Sequence, residues 1–158
     1  MSPSSPPPSL FSQRSERTIV LVEDHPGQRE VIRRWLLDEN FHVEIASDLH
    51  RASKILEHET PALFCVDMTL PRESGLEFCE HIRKNPRFGF VPILMFCDRG
   101  APEDMANAEE AGANALLKKP FAREKLLDYV LVLLDGTDGD PRTETPAGSL
   151  PDPPKLSA

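Results

Sequence analysis

A chain of 158 residues, 39% hydrophobic and 28% charged, can bury one ordinary core and is short for two. Its formal net charge of -8 works against a broad nucleic-acid or anionic-membrane surface, because phosphates would be repelled rather than neutralised. No apolar run approaches the ~20 residues needed to span a bilayer, and the Pro- and Ser-rich start is not a basic leader followed by an apolar stretch, so the expectation is a cytoplasmic protein with neither nucleic acid nor membrane as partner.

Residues 1–17 are rich in Ser and Pro, and residues 135–158 in Pro, Gly, Asp and Thr. Neither stretch carries the apolar surface that offsets ordering entropy, so both are expected to be disordered tails around one domain over residues 18–134. Residues 18–22 are apolar and β-branched and end in Glu23-Asp24, which reads as a strand. Pro26 then suits a first helical turn, with Val31, Ile32, Trp35 and Leu36 predicted on one buried face. Residues 41–46 read as a second strand, and Asp48 as the cap of a helix whose stripe is Leu49, Ala52, Ile55 and Leu56.

The third strand is the apolar run Leu63-Phe64-Cys65-Val66, which ends in Asp67 and is followed by Pro71 and Gly75. Ser74 with Glu77 forms a capping-box pattern for a helix carrying Leu76, Cys79 and Ile82, which stops near Asn85-Pro86. Residues 91–97 make a fourth strand, Pro102 opens a short helix with Met105 and several alanines to bury, and residues 114–117 make a fifth strand. After the loop Lys118-Lys119-Pro120-Phe121, a last helix presents Leu126, Leu127, Val130, Leu131 and Leu134. Five βα units in succession predict an α/β fold: a doubly wound, five-stranded parallel sheet of the flavodoxin-like kind with helices on both faces. The three cysteines, Cys65, Cys79 and Cys97, lie in apolar segments without CxxC spacing and read as buried thiols of a reducing compartment. None of the five histidines is spaced from a cysteine or another histidine as a metal ligand, and His50 and His58 read as solvated positions.

In such a sheet the site lies beyond the carboxyl ends of the strands. There the sequence puts Glu23-Asp24 after strand one, Asp67 after strand three, Cys97-Asp98 after strand four and Lys119 after strand five. Taken singly, an Asp after a strand is a turn former, Glu23-Asp24 are helix-capping acids and Lys119 is a surface charge. Taken together, three carboxylates at close range call for a cation, and Mg²⁺ suits an oxygen-only set of few carboxylates. A carboxylate is a competent nucleophile toward phosphorus when a metal and a fixed cation screen the repulsion between two anions, and Lys119 supplies that cation.

These residues carry a resemblance. Residues 18–134 resemble the receiver domain of bacterial two-component response regulators through Glu23-Asp24, the spacing Asp67-x-x-x-Pro71-x-x-x-Gly75, Ala111-Gly112-Ala113, and Lys119-Pro120-Phe121. The resemblance implies that Asp67 is the phosphoacceptor and that Mg²⁺ is held by Glu23, Asp24, Asp67 and the backbone carbonyl of Thr69. It also implies that Lys119 pairs with the phosphoryl group and that the Lys119-Pro120 bond is cis, as a proline permits. A histidine kinase, a phosphotransfer protein or a small phosphodonor would supply the phosphoryl group, and a downstream protein would read the surface of helix four, strand five and helix five. Two positions depart from the family pattern. Cys97, a weak donor, stands where Ser or Thr is usual, and Leu116 stands at the usual aromatic switch; both also suit plain core packing.

With no output module visible in the sequence, the expected function is a stand-alone phosphorylation-dependent switch, not an enzyme beyond its own phosphotransfer and autodephosphorylation. The alternative is a phosphorylation-independent pseudo-receiver scaffold, motivated by Cys97, Asp98 and Leu116. A haloacid-dehalogenase-like phosphohydrolase needs an acid two residues after the nucleophile, where this chain has Thr69.

Overall fold

Strand β1, Thr18–Val22, is buried along its whole length, and its neighbours on both sides are parallel to it. The computed structural model describes residues 17–135, so nearly all of both expected tails lies outside the described residues. The elements that follow are α1 (Pro26–Asp38), β2 (His42–Ala46), α2 (Leu49–Leu56), β3 (Leu63–Asp67), α3 (Gly75–Lys84), β4 (Ile93–Cys97), α4 (Pro102–Ala111), β5 (Ala115–Lys118) and α5 (Arg123–Asp135). The sheet order is β2-β1-β3-β4-β5, parallel throughout, so the chain reverses its winding between β1 and β3. That reversal opens a crevice at the carboxyl ends of β1 and β3.

Alternation along each strand decides which helices cover which face. Ile19, Leu21, Leu63, Cys65, Leu94, Phe96 and Leu117 point to one side and pack with Ile32 and Leu36 of α1 and Leu126, Tyr129, Val130 and Leu133 of α5. Val20, Val22, Phe64, Val66, Met95 and Leu116 point to the other and meet Ala52 and Ile55 of α2, Phe78, Cys79 and Ile82 of α3, and Ala108 of α4. Each large apolar side chain so buried contributes about 1.5–3 kcal/mol. Phe64 and Phe78 add an edge-to-face contact at 5.6 Å.

The helix caps follow the residue chemistry. Asp48 Oδ1 accepts from the Arg51 N–H at 2.8 Å, and Ser74 Oγ accepts from the Leu76 N–H at 3.1 Å. Pro102 starts α4, where Asp104 Oδ2 accepts from the Ala101 N–H at 3.1 Å. Asn40, at φ 69°, closes α1 in the left-handed region that Asn tolerates.

Several boundaries move from the sequence reading. Phe41 donates to Leu36 O and so ends α1, which leaves β2 to start at His42. Val91 turns back to Phe88 O, and β4 starts at Ile93, beyond Pro92. Strand β5 starts at Ala115 and takes in Lys118. Val31 is 46% exposed rather than part of the buried stripe, because α1 is rotated to put Ile32 and Leu36 against the sheet. A two-residue antiparallel pairing of Thr69–Leu70 with Glu73–Ser74 was not expected. The three cysteines are free and buried, and His50 and His58 are exposed. No helix among the described residues is long and apolar enough to cross a membrane.

The amino ends of β4 and β5 are tied by one side chain. Arg83, near the end of α3, donates to Gly112 O at 2.8 Å, Gly89 O at 3.1 Å, Val91 O at 2.7 Å and Asn114 Oδ1 at 2.7 Å. Asn114 Oδ1 also accepts from the Ile93 N–H at 2.8 Å. The guanidinium fork thereby joins α3, the entry to β4 and the turn between α4 and β5. Gly112 suits that turn at φ 102°, and a Cβ there would lie 2.6 Å from Arg83 Cγ.

Candidate functional site

Backbone pairing carries the strand ends to one rim. Glu23 N–H donates to Ala46 O at 3.0 Å, Met68 N–H to Phe96 O at 2.8 Å and Lys119 N–H to Cys97 O at 2.8 Å, so the pairing continues one residue past the end of each of β1, β3 and β5. Glu23, Asp24 and Asp67 converge there, each offering a carboxylate oxygen within 4.8 Å of the others. Glu23 is fully buried and Asp67 only 4% exposed. The Lys119–Pro120 peptide bond is cis.

Lys119 Nζ donates to Asp67 Oδ2 at 2.5 Å, Gln28 Oε1 at 2.8 Å and Glu23 Oε1 at 3.1 Å. The other Asp67 oxygen, Oδ1, accepts from the Thr69 N–H at 2.9 Å. Burial, and then the Asp67 charge, push the Glu23 carboxyl up from its usual value, while Lys119 pulls it down less strongly. For Lys119, burial works against the ammonium, but the hydrogen bond and charge of Asp67, with Glu23, outweigh it and raise the pKa above 10.5. One ammonium among three carboxylates leaves the rim with an excess of negative charge. An all-oxygen, largely buried acid set of this kind fits a hard divalent cation such as Mg²⁺.

Cys97 reaches the same rim and is 3% exposed; burial pushes its thiol up to about 11, so it is a neutral group at physiological pH. Asp98 is exposed. Leu116 is buried in the core on the α2–α3–α4 face.

Sequence reasoning missed the residues that support the acids. The His25 N–H donates to Glu23 Oε2 at 3.2 Å, and Arg29 Nη1 donates to the Glu23 carbonyl at 3.0 Å and the Asp24 carbonyl at 3.4 Å. Gln28, at the Lys119 ammonium, was missed as well. Only the adjacency of α1 to the acidic pair could have flagged them. A second acid-containing group, His42, Glu44 and Glu59, lies away from this rim, with His42 exposed and hydrogen-bonded to Glu44 at 2.8 Å.

The sequence pattern of the response regulator receiver domain matches residues 19–131. The chain belongs to the response regulator receiver family. Receiver domains are signalling modules rather than enzymes in their own right; they bind Mg²⁺ and interact with histidine kinases and downstream effectors. This receiver is 33% identical to response regulator Rre1 of Synechocystis sp. over 118 residues, 74% of this chain and 51% of Rre1. It is 34% identical to response regulator MprA of Mycobacterium leprae over 134 residues, 85% of this chain and 58% of MprA. The chain therefore spans little more than half the length of these curated relatives.

Among solved structures, the chemotaxis response regulator CheY4 of Vibrio cholerae matches this receiver with a TM-score of 0.69 and 28% identity, over 73% of this chain and 96% of CheY4. The receiver domain of sensor histidine kinase PA1611 from Pseudomonas aeruginosa matches with a TM-score of 0.69 and 28% identity, over 75% of this chain and 98% of its own. That receiver has a magnesium ion coordinated in its active-site cleft.

Proposed function

We propose that this receiver accepts a phosphoryl group on Asp67 from a histidine kinase or a phosphotransfer protein, and passes the signal on by protein–protein contact. The observation that supports this most is the meeting of Asp67, Glu23, Asp24 and Lys119, drawn from three strand ends, at one rim. Glu23, Asp24, Asp67 and the Thr69 carbonyl would hold Mg²⁺. When bound, the ion screens the charge between the carboxylate and the arriving phosphate. Lys119 neutralises the phosphoryl oxygens from the other side, and the Thr69 N–H fixes the rotamer of Asp67. An Asp67 oxygen attacks phosphorus; a new P–O bond forms as the P–N bond to the donor imidazole, or the P–O bond to acetate, breaks. The leaving group departs with its bonding pair.

The reading places the output on α4, β5 and α5, and the compartment in the cytoplasm, where the three free, buried thiols stay reduced. Incubation with Mg²⁺ and acetyl phosphate or phosphoramidate should label the protein, and Asp67→Asn should reduce the label to background. A label that survives Asp67→Asn would sink this assignment.

The neutral, buried Cys97 thiol and the core-packed Leu116 favour a second reading, a scaffold that keeps the fold without switching. Partner binding unchanged in Asp67→Asn would support it.

A further inference from the structure

A closed ring of hydrogen bonds links the end of β1, the first turn of α1 and Lys119. Glu23 Oε2 accepts from the His25 N–H at 3.2 Å, His25 Nδ1 accepts from the Gln28 N–H at 3.1 Å, Gln28 Oε1 accepts from Lys119 Nζ at 2.8 Å, and Lys119 Nζ returns to Glu23 Oε1 at 3.1 Å. Lys119 also donates to Asp67 Oδ2, so the three protons of its ammonium match three acceptors. His25 caps α1 and Pro26 opens it, which fixes the backbone of Gln28 relative to the acid pair.

We propose that Gln28 is the positioning residue of Lys119: its amide oxygen holds the ammonium at the rim while the phosphoryl group is transferred. The inference rests on the reading of Asp67 as phosphoacceptor. The three acceptors of Lys119 are unequal in the reaction. Asp67 gives up its carboxylate charge when its oxygen is esterified to phosphorus, and Glu23 belongs to the acid set that faces the cation. Gln28 is called on by neither. A lysine ammonium on its four-carbon stem is mobile, and one acceptor that stays in place through the reaction keeps a donor tethered while the other two turn to the phosphoryl oxygens. The amide does this without adding negative charge in the path of an incoming phosphate. Gln28 acts through Lys119 and not on the phosphoryl group.

Two measurements test the assignment. In ¹H–¹⁵N spectra of the metal-free protein, Lys119→Met should displace the side-chain amide of Gln28 and leave in place that of Asn114, which Arg83 and Ile93 hold at the opposite end of the sheet. In labelling with Mg²⁺ and acetyl phosphate, Gln28→Leu should lower the saturating rate about three- to tenfold, the range of one hydrogen bond, with the half-saturating acetyl phosphate and the Mg²⁺ affinity held within about twofold. Labelling of Gln28→Leu at the wild-type rate overturns the proposal. So does a Gln28 amide that ignores Lys119→Met, or a slower rate accompanied by loss of Mg²⁺ affinity, which marks a merely structural role. Wild-type protein that takes no label refutes the phosphoacceptor reading instead, and the amide spectrum, which needs neither metal nor phosphate, still decides whether Gln28 holds Lys119.

Discussion

Glu23 shows how one residue sets a tension between folding and site. It is fully buried, and burial, followed by the charge of Asp67, raises its pKa above 4.5. A raised folded-state pKa means that the stability this group contributes is present below pH 4.5 and is lost as pH rises through the raised value. In the metal-free protein the charged form of this carboxylate is therefore the disfavoured one. Glu23→Gln should flatten the dependence of Tm on pH above 4.5 in EDTA and raise Tm most at the alkaline end; a Tm lowered throughout would mean that pairing with Lys119 outweighs burial. Lys119 works in another window, because its raised pKa contributes stability below pH 10.5 that is lost above it. Glu23, Asp24, Asp67 and Lys119 could all be found in the sequence, since each charged group interrupts or closes an apolar run. Gln28 could not, because an exposed polar residue in the first turn of a helix is ordinary until the rim opposite it is known.

Among the elements, the step from β3 to α3 gives the Asp67-to-Gly75 spacing a mechanical meaning. The Gly75 N–H donates to Met68 O at 3.0 Å, which brings the start of α3 against the strand end. A Cβ on Gly75 would lie 2.2 Å from the Asp67 carbonyl oxygen and 3.1 Å from Met68 Cα, and both are backbone atoms that cannot swing aside. Gly75→Ala should cost about 1–3 kcal/mol in urea denaturation, typical of overpacking, and should slow labelling by displacing Asp67. The number and type of the main elements were legible from periodicity, because five apolar runs alternate with five amphipathic ones. Their ends were less so. Phe41 and Val91 look like strand residues but close turns, and Val31 sits one residue off the face that α1 turns to the sheet.

For the whole molecule, a divalent cation held by the acid rim would tie stability to its concentration. A ligand that binds only the folded state stabilises it by RT ln(1 + [L]/Kd), about 1.4 kcal/mol at ten times Kd. Mg²⁺ should raise Tm accordingly, and Asp24→Asn should remove the increase; a shift retained in that variant would place the cation elsewhere. The amino-end tie was invisible in the sequence because Arg83 meets Gly112 and Asn114 across separations of 29 and 31 residues. A displaced α4 would turn on that tie as a lever. Its C-terminal end is the fulcrum, pinned through Gly112, and its N-terminal end, at Pro102, follows the strand that ends in Cys97. Ten residues make an arm of about 15 Å, so a tilt of about 10° at the fulcrum would swing the far tip by roughly 2.6 Å.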